Sequence, residues 1–308
     1  MTKLVRSRML WAAVLLAVAA ATLPWWVSGY ILGILTVAYY FSVFSMGWDL
    51  LFGFAGEVNF GPTFLIGLGA YTAAILDARW GPPIFVCIVA GGLVALVGGL
   101  LLAVPALRLR GPYFGLITLV AVLLLQNAIV IFAGITGGEI GMTVPDVMSV
   151  SAEQNYWYAL AFLVVCAIML FGLSRSAIGL ILQASGQDAI GAQALGFNVT
   201  KHKLAAFCIS AVFSGVAGAM LVFYQGTASV STVVDLGVGV QIIIAAVLGG
   251  RRTILGAVLG AVFLIVAGEF LRPLGQINTF VVAALALAVI LFFPDGLLGN
   301  LLRVRERE

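Results

Sequence analysis

A chain of 308 residues with 63% hydrophobic and only 9% charged side chains, and a formal net charge of +3, lies far outside the composition of soluble domains. This excludes a soluble enzyme or nucleic-acid-binding domain and predicts an all-α polytopic integral membrane protein. A β-barrel is excluded too, because the apolar windows are continuous and do not alternate.

In chain order, the uncharged windows predict about ten transmembrane helices, near 9–27, 30–49, 61–77, 82–104, 112–133, 156–173, 203–225, 237–250, 254–271 and 276–293. Each is set by about 30 Å of hydrocarbon crossed at about 1.5 Å per residue. The eighth and ninth are short, so eight spans plus re-entrant segments is the other count. The basic start and first apolar run also fit a cleavable signal, but Trp25 and Trp26 stand where small cleavage-site residues belong. They suit an interfacial aromatic belt, and the run is kept as span one.

Ten spans place Lys3, Arg6, Arg8, Arg108, Arg110, Arg175, Lys201, Lys203, Arg251, Arg252, Arg303, Arg305 and Arg307 on one face, leaving Arg79 and Arg272 opposite. By the positive-inside rule the richer face is cytoplasmic, and so are both termini. The longest opposite loop, 134–155, carries Glu139, Asp146 and Glu153 and no Lys or Arg. Cys87, Cys166 and Cys208 lie singly inside spans with no metal-ligand spacing, so they read as small packing residues.

Three stretches depart from plain hydrophobicity. The first, "GEVNFGPTFLIGLGAYTAAI" at 56–75, holds glycines that permit close helix approach and unwound backbone, together with polar Glu57 and Asn59. With a helix break at Gly61-Pro62, it reads either as part of a gate or path, or as packing glycines with Glu57 in the headgroup zone. The second is the cytoplasmic loop 174–203. Within it, Ser185-Gly186-Gln187-Asp188 signals a helix start, the Ala-rich run includes Ala189, Ile190, Gly191, Ala192, Ala194 and Leu195, and Gly196 signals a stop. Thr200 is the expected cap of the next span. A two-turn helix at 187–196 needs a docking surface, because helix nucleation is costly. That surface is either a groove on a soluble partner or the membrane and the chain's own loops. The third is Arg251-Arg252, read as positive-inside anchors or as holders of an anionic group at the inner mouth.

No G-x-x-x-x-G-K-[ST] phosphate loop occurs, and no soluble segment is large enough for a nucleotide-binding domain. His202, the single histidine, sits between Lys201 and Lys203 at an interface, where solvation is its expected state. An enzyme is not expected.

"AQALGFNVTKHKLAAFCISAVFSGVAGAM" resembles a signature stretch of the branched-chain amino acid ABC transporter permeases, in their LivM-type membrane subunit. Four more stretches agree in the same order: Gly56 to Ala73, "LRLRGPYFGLITL" at 107–119, "ITGGEIGM" at 135–142 and "VLGGRRTILGAVLGA" at 247–261. The chain departs from the family pattern at Glu57, where Gln is common, at Pro62, where His is frequent, and at Arg251 and Arg252, where small residues are usual.

The resemblance implies an ABC importer permease fold, with 1–308 as a single transmembrane permease domain in a bacterial inner membrane. Its expected partners are a second, LivH-type permease subunit, two cytoplasmic ATPases that bind ATP and Mg, and a periplasmic or extracellular solute-binding protein. No cofactor is expected in this chain itself. Segment 187–196 then reads as the coupling helix that seats in an ATPase groove. Glu57, Asn59 and Gly61 are expected at the path or gate, with Tyr71, Tyr113, Thr118, Gln126 and Gln241 chosen for their polarity within spans. Thr136, Gly137 and Gly138 are expected at the outer mouth or at binding-protein docking. The implied transport is of branched-chain or other small amino acids by alternating access. The other class of reading, an ion-gradient-driven secondary transporter of a small polar solute, would need intramembrane acids, for which Glu57, Asp235 and Glu269 are the candidates.

Overall fold

The structure, a computed structural model, describes residues 19–109 and 112–275 together with the isolated positions Ile277, Val281, Ala284, Leu287 and Gly296. The expected tenth span at 276–293, most of the first, and Lys3, Arg6, Arg8, Arg110, Arg303, Arg305 and Arg307 lie outside the described residues. The helices are α1 (Gly29–Asp49), α2 (Pro62–Trp80), α3 (Ile84–Ala106), α4 (Tyr113–Ile131) and α5 (Ala133–Thr136). They continue with α6 (Ala152–Arg175), α7 (Ala177–Gln187), α8 (Ala189–Ala194), α9 (Val199–Gln225), α10 (Val230–Val233), α11 (Leu236–Gly249) and α12 (Ile254–Phe270). Two short strands, β1 (Met142–Thr143) and β2 (Thr227–Ala228), pair antiparallel with Met142 opposite Ala228.

Among the described residues, six helical stretches are long and apolar enough to cross a membrane: Gly29–Phe54, Ile84–Ala106, Tyr113–Ile131, Ala152–Arg175, Val199–Gln225 and Val230–Gly249. This is fewer than the ten expected. Pro62–Trp80 lies inside the bundle, yet its apolar character is diluted by Thr63, Thr72, Asp77 and Arg79. Ile254–Phe270 is apolar but has only 17 residues.

Burial separates central from peripheral helices. Every residue from 38 to 49 in α1 is buried, as expected of a helix that is apolar all round. Helix α3 is built differently. Phe85, Val89, Leu93, Val97 and Leu101 form an exposed row, while Cys87, Gly91, Gly92, Ala95, Gly99 and Ala103 face inward. Large side chains therefore point outward, as they would toward lipid, and small ones face neighbouring helices.

The small faces let backbones touch. A Cβ added at Gly69 of α2 would collide with the Gly215 carbonyl of α9, and one at Gly215 would collide with Ala95 of α3. At Gly91 of α3 it would stand 2.7 Å from the Gly69 oxygen. The same device joins α11 to α12, where Gly249 abuts the Gly256 carbonyl and Gly260 abuts that of Ala245. Lipid tails are as apolar as leucine, so helix association rests on this close van der Waals packing.

A polar contact fixes the start of α12. Asp49, at the end of α1 and 1% exposed, accepts the Arg252 backbone N–H at 3.1 Å, and the Thr253 N–H also points to its carboxylate. Asp49 therefore caps, from another helix, the start of a helix whose own N-cap Thr253 makes no side-chain cap bond. Arg252 Nε donates to the Gly53 carbonyl at 2.9 Å, and the Arg251 guanidinium lies 4.3 Å from the centre of the Phe52 ring. Both arginines are thus held against the end of α1.

Gly69→Val should force the α2–α9 contact apart and cost at least about 1–3 kcal/mol, read as a lower thermal midpoint in detergent. Gly172→Ala, at a position with open space around it, should leave the midpoint unchanged or raise it. Asp49→Ala should cost about 1–3 kcal/mol by leaving the partly buried Arg252 and Thr253 N–H groups unpaired, whereas Asp49→Asn, which keeps an acceptor oxygen, should lose less in the same measurement.

Candidate functional site

The link between α1 and α2 is the most irregular backbone inside the bundle. After Asp49 the helix widens into a π turn at Leu50–Phe54, a geometry that is rare and often found at functional sites. The chain then leaves the helix at Gly56, whose φ of 73° suits glycine, and runs without helix to Gly61. Such backbone is tolerated in a membrane protein only where protein satisfies its polar groups. Here Trp48 Nε1 donates to the Asn59 carbonyl at 2.6 Å, and Glu57 N donates to the Leu51 carbonyl at 3.0 Å. Asn59 Oδ1 accepts from Gly61 N at 2.8 Å, a local turn that delivers Pro62 to the first position of α2.

The same segment grips α4. Phe60 N donates to Thr118 Oγ1 at 3.0 Å, and Thr118 Oγ1 donates in turn to the Gly115 carbonyl at 2.7 Å. A Cβ at Gly61 would collide with the Thr118 carbonyl, so glycine is needed there for the approach. Of the residues expected at a gate or path, Glu57, Asn59, Gly61 and Thr118 are brought together.

Glu57 is not free. Its Oε1 accepts from Lys203 Nζ at 2.6 Å, with the two side chains 18% and 12% exposed. Lys203 lies in the second turn of α9, at the end of the 174–203 loop. Behind Glu57, a Cβ at Gly56 would come within 2.9 Å of Gly186 Cα in α7. The 55–61 segment is thereby held by the middle of the 174–203 loop, at Gly186, and by its end, at Lys203.

That loop contains more structure than its sequence suggested. Ser176 caps α7, an 11-residue helix over a stretch for which no helix was expected, and Ser185 and Gly186 belong to it rather than to a helix start. Asp188 then caps α8, accepting from Ile190 N at 3.0 Å and Gly191 N at 2.9 Å. The helix ends at Ala194, shorter than the expected 187–196. Asn198, not Thr200, caps α9, accepting from Lys201 N at 3.0 Å. Ile190 and Leu195 are 77% and 78% exposed, whereas Ala192 is 4% exposed and faces its own chain. His202 is held by its Nδ1 contact of 2.7 Å with the Asn198 carbonyl.

The remaining polar positions are dispersed. Tyr71 is buried with its hydroxyl unpartnered, Tyr113 is exposed, and Gln241 is half-buried on α11. Gln126 Nε2 donates to the Val234 carbonyl at 3.1 Å. Together with Asn127, Glu139, Ser231 and Asp235 it lines an open cleft of about 370 Å³ at the opposite end of α4 from Thr118. Thr136 is turned inward, donating to the Ile129 carbonyl at 2.6 Å and accepting from Gly138 N at 3.2 Å. With Gly137 and Gly138 in left-handed conformation, this motif forms a tight turn that sets Gly141 against β2.

None of the three acids considered for ion coupling stands unengaged. Glu57 pairs with Lys203, Asp235 Oδ1 accepts from Gly237 N at 2.7 Å, and Glu269 is bound by Tyr30 and Arg272. Asp49, which sequence reasoning passed over, is the most deeply buried of the carboxylates at these helix ends. Its signal was present as an acid near the end of an apolar window.

A family described as branched-chain amino acid transport system / permease component matches residues 30–294. The chain is 29% identical to the high-affinity branched-chain amino acid transport system permease protein LivM of Escherichia coli, over 92% of this chain and 74% of that protein. It is 28% identical to BraD of Pseudomonas aeruginosa, over 86% and 94%, and 24% identical to LivH of E. coli, over 84% and 91%. No solved structure gives a significant match. With the matched region running from the start of α1 to beyond the end of α12, the chain belongs to the branched-chain amino acid transport system permease family.

Proposed function

We propose that this permease is one of two membrane subunits of an ATP-driven importer for branched-chain or other small amino acids, working by alternating access. Its partners on this reading are a second, LivH-type permease subunit, two cytoplasmic ATPases that bind ATP and Mg, and an external solute-binding protein. The chain acts as one transmembrane permease domain of about ten spans in a bacterial inner membrane, both termini cytoplasmic. Its 174–203 segment is the coupling loop. It needs no cofactor of its own and carries out no chemistry.

The observation that carries the reading is the tip of the coupling loop. A six-residue helix is too short to stand alone, yet α8 and its C-cap hold Ile190 and Leu195 out from the chain, each more than three-quarters exposed. An apolar groove on an ATPase subunit supplies the missing cover. At the other end, the Thr136–Gly137–Gly138 turn shapes the outer mouth beside the cleft that includes Gln126, and the external binding protein sets most of the specificity. The engagement of Glu57, Asp235 and Glu269 in local contacts disfavours ion-gradient coupling.

Because Ala192 packs against its own chain, the informative substitutions are at its exposed neighbours. Ile190→Asp with Leu195→Asp should leave the chain inserted at normal levels but abolish co-purification of the ATPase subunits, since a buried unpaired charge costs several kcal/mol and about 1.4 kcal/mol is already tenfold. Normal ATPase recovery with the double variant would mean that the loop rests on the membrane and does not dock.

A further inference from the structure

Helices α2 and α9 meet backbone to backbone at Gly69 and Gly215, part-way along their lengths. Nearer their starts, Leu65 of α2 and Phe207 and Ala211 of α9 all face Gly99 of α3. The Glu57–Lys203 pair adds a polar tie at that end, because Glu57 lies in the segment leading into α2 and Lys203 in the second turn of α9. The two groups lie 146 residues apart in sequence and 2.6 Å apart in space. Both side chains are mostly shielded from solvent, so salt screens them less than it would a surface pair.

Glu57 is also the branching point of a contiguous chain of contacts. On one side, its neighbour Gly56 packs on Gly186 of α7, which leads through Asp188 into the exposed tip of α8. On the other, Asn59 shapes the turn into α2, while Phe60 and Gly61 bind Thr118 of α4. Eight residues further along α4, about 12 Å at 1.5 Å per residue, Gln126 lines the cleft at the far end.

We propose that Glu57 is a positioning residue for coupling: its ion pair with Lys203 makes the 55–61 segment follow the coupling loop, so that movement imposed on α8 reaches α2 and α4 as well as α9. This rests on the reading that 174–203 is where the ATPases act. Glu57 therefore does not contact the transported solute. It sets whether hydrolysis and opening of the path occur together.

The test uses the complete complex, purified with its ATPase subunits, reconstituted in liposomes and supplied with binding protein. Four forms of the chain are compared with wild type: Glu57→Gln, Glu57→Lys, Lys203→Glu, and Glu57→Lys combined with Lys203→Glu. ATPase recovery, ATP hydrolysis and solute uptake are measured on each. The two charge reversals should assemble and hydrolyse ATP, but uptake per ATP consumed should fall roughly fivefold or more. Glu57→Gln, which keeps the hydrogen bond without the charge, should fall less. The double variant restores the pair in reverse and should recover uptake per ATP.

Uptake per ATP that stays at the wild-type value in both reversals, or that is not recovered in the double variant, would overturn the proposal. So would loss of ATPase recovery in Glu57→Gln, since the pair lies away from the exposed Ile190 and Leu195 surface. A wild-type complex that retains no ATPase would sink the underlying functional reading instead, and the two failures are told apart by the wild-type lane alone.

Discussion

Backbone contact through glycine is the constraint on which the rest of this molecule depends. In water, helices are driven together by their apolar faces; in lipid that force is absent, and association rests on how closely two backbones can approach. Gly69, Gly91 and Gly215 bring α2, α3 and α9 into such contact, and Gly249, Gly256 and Gly260 do the same for α11 and α12. The large side chains of α3 are then free to face outward, which explains a row of exposed Phe, Val and Leu that would be a liability in a soluble domain.

The polar groups in the bundle follow from the same economy. With no water to satisfy irregular backbone, the 55–61 segment exists only because Trp48, Asn59 and Thr118 supply its donors and acceptors. Asp49 supplies another helix's start in the same way. These groups do not line an evident passage. They hold the ends of α1, α2, α4 and α12 in register with the long loop, at the end of the bundle where the proposed ATPases act. The open cleft at the far end of α4, with Gln126, Asn127, Glu139 and Asp235 around it, is a separate polar region.

Much of this was legible in the residues. The helical class, the order of the helices and most of their limits follow from uncharged windows, and α1, α3, α4, α6 and α9 lie within a few residues of the expected 30–49, 82–104, 112–133, 156–173 and 203–225. The broken backbone near Gly61-Pro62 was legible because Gly, Pro, Asn and Glu fall together in an apolar run. Helix α7 was not legible because Ser185-Gly186 has the composition of a helix start, although Ser176 is an equally good cap. The Glu57–Lys203 and Asp49–Arg252 contacts were not legible, since nothing local ties residues so far apart in the chain. The direction of the Thr136 side chain was not legible, since its hydrogen bonds to Ile129 and Gly138 depend on the turn of the following two glycines. Ala192 was assigned to the contact face by composition, but helix direction set it inside.

The most direct test of the central claim is the energy source for uptake. The chain with its natural partners, reconstituted in sealed liposomes with binding protein on the outer side, should accumulate radiolabelled leucine or another small amino acid when ATP is present on the ATPase side. That accumulation should persist when a protonophore and ionophores collapse every ion gradient. Accumulation driven by a proton or sodium gradient in the absence of ATP, and abolished by the ionophores, would contradict the assignment.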